Sequence, residues 1–261
     1  MSGRKEKSYR SKKLVQSRLK LDCDRSPIVK CEKCEMSYMS ASMDDIALHS
    51  KYHGMMLKGR HWSSKWGERH HVDQEESSVR RAITPPMSSP IRGQTRKLDV
   101  VVKVRRGHTS EVNAMLEIMG VVNRELNAPH DENEFWSSEH GETRGNAFVY
   151  VRNERAIGAI TMEVLKPERC RWMVYESRAI VEPVQPVFKI GVSRIWVCKS
   201  YRGEGIASTM IDIARRHTIP GINIPKNLVA WSQPTNSGGK LARKYNGAKH
   251  KSGNILIPCY L

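Results

Sequence analysis

The sequence predicts a mixed α/β sheet domain over residues 99–261, preceded by a small Cys/His segment at residues 28–60. After Asp99, runs of β-branched apolar residues alternate with amphipathic helical patterns, which is typical of a sheet flanked by helices. Within residues 28–60, two cysteines and two histidines follow the spacing of a metal-binding finger. Residues 61–98 are rich in Ser, Pro, Arg and Glu and lack periodicity, so we expect a linker there.

Seven strands are predicted in the large domain from short apolar runs bounded by turn residues. They lie at residues 99–105, 146–152, 156–165, 172–175, 189–198, 227–232 and 253–261. A short turn separates the second run from the third, so we expect these two strands to form an antiparallel hairpin.

Three helices are predicted between these strands, at residues 110–126, 206–218 and 238–247. In the first helix, Ser110 is a candidate N-cap. Its apolar residues recur at three- and four-residue spacing, at Val112, Met115, Leu116, Met119 and Val122. The last helix ends at a glycine, a common C-terminal stop.

The charge of the chain is concentrated at its N-terminus. The net charge is +17, and residues 1–20 contain eight Lys or Arg and one Glu. We expect residues 1–27 to form a disordered basic tail that favours a polyanionic neighbourhood such as DNA or chromatin. A solubilising tail or a nuclear import signal is the alternative.

The sequence predicts neither a membrane-spanning nor a secreted protein. No run of 18 apolar residues is present, and the N-terminus lacks the apolar core of a secretory signal. We therefore expect a cytosolic or nuclear protein, in which the six cysteines serve as free thiols or metal ligands rather than as disulfides.

The Cys/His segment has the donor set of a tetrahedral zinc site. Two residues separate Cys31 from Cys34, and fourteen separate Cys34 from His49. His53 follows His49 four positions later, so both histidines lie on one face of a helix. Two thiolates and two imidazoles suit Zn²⁺. We predict a structural zinc finger at residues 28–60, with Cys31, Cys34, His49 and His53 as ligands.

The stretch KSYRGEGIAS, residues 199–208, joins a predicted strand to a predicted helix. The first amides of a helix have no intrahelical partner, and the helix dipole adds partial positive charge there. Gly203 and Gly205 allow the main chain to approach a ligand closely. The stretch therefore suits an anion such as a diphosphate, although a purely structural turn is the alternative.

Arg202, Gly205 and Ala207 fit the pattern R-x-x-G-x-A, which resembles motif A of the GNAT acetyltransferases. In that superfamily this strand and loop bind the pyrophosphate of acetyl-CoA. The resemblance implies a GNAT-type mixed β-sheet in which the strands before the loop and after the following helix splay apart. Unpaired amides in the splay would then hold the thioester carbonyl.

A wider resemblance covers about Gln16 to Leu261. The stretches IVKCEKCEMSY, GRHWSSKWG, ELNAPHDEN, RWMVYESR, KIGVSRIWV and WSQPTNSGGKLARKYNG are similar to those of the cohesin acetyltransferases, particularly the fungal members. This implies a nuclear, chromatin-associated lysine N-acetyltransferase that modifies the SMC subunit of cohesin and establishes sister-chromatid cohesion in S phase. A GNAT that acetylates histones or other nuclear proteins, and a non-catalytic zinc-finger chromatin module, are the alternatives.

The resemblance also implies the site residues. The acetyl-CoA contacts are expected at Ile195, Trp196, Val197, Arg202, Gly203, Glu204, Gly205, Ile206, Ala207, Ser208, Thr235, Asn236 and Ser237. The catalytic positions are Ser193, where the family has a serine implicated in acetyl transfer, and Gln233, where animal members have a catalytic aspartate.

The resemblance leaves the general base open. Gln233 cannot usefully accept a proton, and the strand that carries Ser193 lacks the glutamate that many lysine-acetylating GNATs place there. Glu163, Asp131, a water-mediated path or a base on the substrate are the candidates. Tyr245 is a candidate proton donor to the CoA thiolate, although core packing is the favoured reading.

A short motif in the tail implies a partner. Gln16 and Leu19, in QSRL, resemble the reduced sliding-clamp-binding motif of this family. A plain disordered tail is the alternative, and a disordered segment that orders on binding suits such a role.

Overall fold

The computed structural model describes residues 28–72, 99–128, 145–182 and 184–261. The basic tail with Gln16 and Leu19, most of the predicted linker, and Asp131 lie outside these ranges. None of the helices within them is long and apolar enough to cross a bilayer.

The Cys/His segment folds as a hairpin followed by a helix. Strands β1 (Ile28–Lys30) and β2 (Ser37–Met39) pair antiparallel, and helix α1 (Met43–Lys58) follows. Ser42 caps this helix, since its hydroxyl accepts a hydrogen bond from the Asp45 amide at 3.2 Å. Two aspartates in the first turn complement the positive end of the helix dipole.

Eleven strands of the described ranges form the main sheet. They are β3 (Arg60–His61), β4 (Glu68–His71), β5 (Val100–Lys103), β6 (Gly145–Arg152), β7 (Arg155–Val164), β8 (Cys170–Val174), β9 (Ile180–Val181), β10 (Ile190–Val197), β11 (Val229–Trp231), β12 (Ala248–Lys249) and β13 (Ile255–Tyr260). The order is β4-β5-β6-β7-β10-β11-β13-β8-β9, with β3 beside β7 and β12 beside β13. The pairs β10–β11 and β11–β13 are parallel and the others antiparallel, so the sheet is mixed as predicted.

Within the same described ranges, three helices flank this sheet: α2 (Thr109–Leu126), α3 (Ile206–His217) and α4 (Asn236–Asn246). Helix α3 packs on β5, β6, β7 and β10, and buries Met210, Ile211 and Ile213. At Gly158 in β7, an added Cβ would lie 3.0 Å from the Met210 methyl group, so the glycine allows this helix to approach the sheet closely.

The structure corrects two of the predictions. The linker was predicted to begin at residue 61, whereas β3 and β4 are strands of the sheet and the side chain of Trp62 is fully buried. The N-cap of α2 was predicted at Ser110, whereas the helix begins at Thr109, and its N-cap His108 makes no side-chain capping bond.

The finger and the sheet domain share one hydrophobic core. Tyr52, Met55 and Met56 of α1 are buried in the same cluster as Trp62 and the sheet residues. The Cys198 thiol, at the end of β10, donates to the Met55 carbonyl at 3.3 Å. The finger is therefore a packed part of this fold.

Candidate active site and metal centre

The sheet opens into a cleft where β10 and β11 diverge. The two strands pair only from Ile190 to Val192 on β10, and the Ser232 amide then donates to the Val192 carbonyl at 3.0 Å. Beyond this point β10 continues to Val197 with no strand partner on that side among the described residues. The pairing of β10 with β7 shifts between Val192 and Arg194, so Ser193 is the extra residue of a β-bulge.

The cleft has a volume of about 1920 Å³ and extends from the C-terminal end of α2 to the start of α4. Of the predicted site residues, the following line it: Ser193, Ile195, Trp196, Val197, Arg202, Gly203, Gly205, Ile206, Ala207, Ser208, Gln233, Thr235, Asn236 and Ser237. The fold thus brings three separate stretches of the chain to one cleft.

The stretch at residues 199–208, here called the glycine loop, leads into α3 and contains two glycines in the left-handed conformation. Gly203 has φ +86° and Gly205 has φ +84°, a conformation that costs other residues roughly 1–2 kcal/mol. Gly205 is the N-cap of α3 and supplies no side-chain acceptor, so the amides of Ile206, Ala207 and Ser208 begin the helix without a capping side chain. These amides suit the oxygens of a phosphate group.

A second helix begins at the same cleft. Thr235 caps α4, and its hydroxyl accepts from the Gly238 amide at 3.2 Å. Thr235, Asn236 and Ser237 are exposed at the wall of the cleft. Because the N-termini of α3 and α4 both meet the cleft, their dipoles favour an extended anionic ligand.

Glu125 at the end of α2 connects two parts of this site, and no sequence motif indicates its role. Its two carboxylate oxygens accept from the Trp196 indole and from the Arg202 guanidinium, each at 2.5 Å. Arg202 also donates from Nε to the Val197 carbonyl at 2.9 Å. Arg202 therefore fixes the loop against β10 through Nε and against the end of α2 through Nη2.

Glu204, predicted as a cofactor contact, has its side chain engaged elsewhere. It is absent from the cleft lining, and its carboxylate accepts from Arg152 Nη1 at 2.7 Å. Arg152 in turn pairs with Asp99 at 2.7 Å. These contacts tie the loop to β6 of the sheet.

Tyr245 lies away from the cleft lining, which agrees with core packing rather than proton donation to a thiolate. Its hydroxyl donates to Asp212 Oδ1 at 2.7 Å, and its ring meets Trp231 edge to face. Burial and the Asp212 carboxylate raise its pKa above the ordinary tyrosine value. Glu163, by contrast, lines the cleft on the same side as Ser193.

The four predicted metal ligands converge in the finger. One donor atom from each of Cys31, Cys34, His49 and His53 lies within 4.8 Å of the others. His49 Nε2 is buried and has no hydrogen-bond partner in the described part of the chain, as expected of a nitrogen that binds a metal. Main-chain Cys34 and the His49 side chain lower the pKa of Cys31 to about 6, so its thiolate forms readily at neutral pH. The arrangement fits Zn²⁺.

Two family models match the chain. The model described as ESCO1/2 acetyl-transferase matches residues 187–257, which include β10, the glycine loop, α3 and α4. The model described as zinc-finger of acetyl-transferase ESCO matches residues 16–55. The two matches thus fall on the cleft and on the metal centre.

Curated relatives match over nearly the full length. The chain is 51% identical to N-acetyltransferase ECO1 of Candida glabrata, with 98% of each chain covered. It is 49% identical to N-acetyltransferase ECO1 of Saccharomyces cerevisiae, with 95% of each covered. Among solved structures, the acetyltransferase domain of xEco2 bound to a K105-CoA conjugate aligns at 22% identity and a TM-score of 0.48, over 62% of this chain and 91% of that one.

Proposed function

The chain belongs to the ECO1 family of N-acetyltransferases, and on that premise we propose that it transfers acetyl groups from acetyl-CoA to lysines of the cohesin SMC subunit and so establishes sister-chromatid cohesion in S phase. The observation that carries the proposal is the cleft, where the unpaired edge of β10 and the N-termini of α3 and α4 face one volume. Acetyl-CoA is elongated and carries a diphosphate and a thioester. The N-termini of the two helices suit its diphosphate, and the edge of β10 suits its thioester.

The residues of the chain divide the work between binding and chemistry. The amides of residues 206–208 and the start of α4 hold the phosphates by hydrogen bonds and helix dipoles. The Arg194 amide donates to Thr161, so an amide of β10 beyond Arg194, on the edge without a strand partner in the described ranges, would donate to the thioester oxygen and stabilise the negative charge that develops there. Acetyl-CoA supplies the activated acyl group, and the cleft supplies orientation.

The zinc finger stabilises the active site by packing against the end of β10. It would hold Zn²⁺ through Cys31, Cys34, His49 and His53, and helix α1 packs into the core next to the end of β10. Metal binding and folding are coupled in such small segments. We therefore propose a structural role for the metal rather than a role in the transfer step.

The location and partners follow from the proposed substrate. We propose a nuclear, chromatin-bound enzyme whose basic tail contacts DNA and whose Gln16 and Leu19 bind the sliding clamp. The high positive charge supports association with polyanions. Salt-dependent DNA binding by the full chain and its loss on deleting residues 1–27 would support the tail proposal.

One comparison of acceptors tests the proposed function. Purified full-length protein is incubated with labelled acetyl-CoA and equal amounts of cohesin head domain or histones. We expect label to appear on head-domain lysines. Preferential labelling of histones would replace the substrate assignment, and acetyl-CoA binding without any transfer would favour a non-catalytic module.

A further inference from the structure

We propose that Glu163 is the general base that accepts the proton of the acceptor amine, and that Tyr260 and Arg169 position its carboxylate. The inference rests on the proposed function, because it assigns a residue to the transfer step in the same cleft. It arises from the buried hydroxyl group of Tyr260, for which the described ranges supply no hydrogen-bond partner, and from the charged residues around it.

Strand register places Glu163 and Tyr260 on one face of the sheet. Glu163 on β7 stands opposite Gly191 on β10, and directly opposed residues of an antiparallel pair point to the same side. The ring of Tyr260 occupies that side of Gly191, since an added Cβ there would lie 2.5 Å from Tyr260 Cε1. The glycine thus makes room for the tyrosine beside the carboxylate.

The Tyr260 side chain is almost fully buried, with an exposed fraction of 3% for the residue. Its hydroxyl makes no hydrogen bond with good geometry in the described part of the chain. Buried hydroxyls normally find a partner, so an unpaired one at the wall of a cleft suggests a ligand or a bound water. Burial and the neighbouring Glu163 carboxylate raise the pKa of Tyr260 well above its ordinary value, while Ser193 opposes the shift. The phenol therefore remains a hydrogen-bond donor at neutral pH.

Arg169 fixes the carboxylate in this arrangement. Its Nη1 donates to Glu163 Oε2 at 2.8 Å, and its Nε donates to the Leu261 carbonyl at 2.7 Å. Its guanidinium also lies over the Tyr260 ring at 5.0 Å. Arg169 thus holds one oxygen of the Glu163 carboxylate, and the Tyr260 hydroxyl lies beside the same carboxylate.

The chemistry needs a proton acceptor at this end of the cleft. Four polar residues line the cleft near the edge of β10, where the acyl group is expected: Glu163, Arg169, Ser193 and Tyr260. The lysine ammonium transfers one proton to Glu163, directly or through one water held by Tyr260, and becomes a neutral amine. Its nitrogen forms the bond to the acyl carbon, the carbon–sulfur bond breaks, and the second nitrogen proton leaves with the sulfur as the thiol. Glu163 then returns its proton to solvent.

The test compares Glu163→Gln with Glu176→Gln, an exposed carboxylate absent from the cleft lining. General-base catalysis contributes about 100-fold or more, so we expect kcat to fall by that factor in Glu163→Gln and to be unchanged in Glu176→Gln. The acetyl-CoA affinity, measured by calorimetry, should be unchanged in both variants. The wild-type rise of kcat with pH at the acidic limb should disappear in Glu163→Gln.

A second acceptor separates a base from a structural residue. A peptide whose lysine is replaced by an analogue of lower amine pKa needs less help with deprotonation, so it should recover much of the rate lost in Glu163→Gln. Equal loss on both peptides, or a variant with wild-type kcat, overturns the inference. Tyr260→Phe should lower kcat less and retain the acidic limb, as expected of a positioning residue.

The same experiment distinguishes this inference from the proposed function. Wild-type protein that acetylates neither cohesin head domain nor lysine peptides overturns both. Wild-type transfer together with an unaffected Glu163→Gln variant overturns only the assignment of the base. A Glu163→Gln variant that loses acetyl-CoA affinity along with activity also overturns it, because the residue would then act in binding.

Discussion

Glu35 in the turn of the zinc finger pairs with Lys199 at the start of the glycine loop, with 2.6 Å between carboxylate and ammonium. The same ammonium donates to the Lys33 carbonyl at 3.2 Å. The turn of the zinc finger and the glycine loop are thus in direct contact. Both partners are well exposed, so the pair contributes little stability and mainly marks where the finger meets the active site.

Loss of zinc is expected to destabilise the whole protein rather than the finger alone. Structural zinc sites contribute about 10 kcal/mol or more of binding free energy, and α1 packs into the common core. Cys34→Ser should therefore lose the metal and lower both the unfolding temperature and acetyl transfer. Metal analysis and calorimetry measure this. Cys23→Ser, outside the ligand set, should retain zinc, and a Cys34→Ser variant with full activity would contradict the proposed coupling.

Charge in the glycine loop should control acetyl-CoA affinity. Gly205→Asp places a carboxylate at the start of α3, where the diphosphate is expected, while Gly205→Asn introduces a neutral side chain of the same shape. Both variants carry the strain of a left-handed residue, which asparagine and aspartate tolerate best. We expect the aspartate variant to bind acetyl-CoA at least about tenfold more weakly than the asparagine variant, a difference of about 1.4 kcal/mol. Equal affinities by calorimetry would show that the diphosphate lies elsewhere.

Glu125 is expected to affect the use of acetyl-CoA through Arg202 and Trp196. Glu125→Gln weakens two charge-assisted hydrogen bonds, and since Arg202 is half exposed we expect a stability loss of only about 1 kcal/mol. The looser loop should raise the KM for acetyl-CoA more than it changes kcat. Glu117→Gln on the same helix breaks only a pair with Arg60 and serves as the control. A KM that rises equally in both variants would contradict the specific role of Glu125.

A stacked histidine pair should make stability depend on pH. The rings of His70 and His217 lie 3.7 Å apart, and burial together with nearby positive charge lowers the pKa of both. The unfolded chain then binds more protons than the folded one. Stability is therefore greatest above the ordinary histidine pKa and is lost as the pH falls from there through the lowered pKa of the folded state. Urea unfolding at pH 7.5 and 5.5 should show this loss, and His70→Phe should reduce it. If the free energy of unfolding of His70→Phe changes as much between pH 7.5 and 5.5 as that of the wild type, the pH dependence arises from carboxylates instead.

Much of the fold follows from local pattern, and the errors have physical reasons. Strands such as β6, β7 and β10 are buried on both faces, so their continuous apolar runs are visible in the sequence. Strand β4 reads Glu-Arg-His-His and lies at an edge of the sheet, where polar residues are tolerated. The sequence of β4 therefore lacks a strand pattern and predicts part of the linker instead.

The candidate site was predictable where residues adjoin in sequence. The loop at residues 202–208 and the Cys/His spacing carry their own signals. The loop residues other than Glu204 line the cleft, and the four Cys/His donors lie close together. Glu125 bonds to Trp196, 71 residues further along the chain, and Tyr260 packs over Gly191. The roles of both residues depend on these distant contacts. No local pattern encodes such contacts.

The pairing of β4 with β5 also determines how this protein can be divided. A fragment that starts at residue 99 would lack β4 and Trp62, and it would expose the hydrogen-bonding edge of Val100–Lys103. Free apolar edges of this kind recruit strands from other molecules. Such a truncated enzyme is therefore expected to aggregate, and soluble catalytic fragments should begin upstream of the finger.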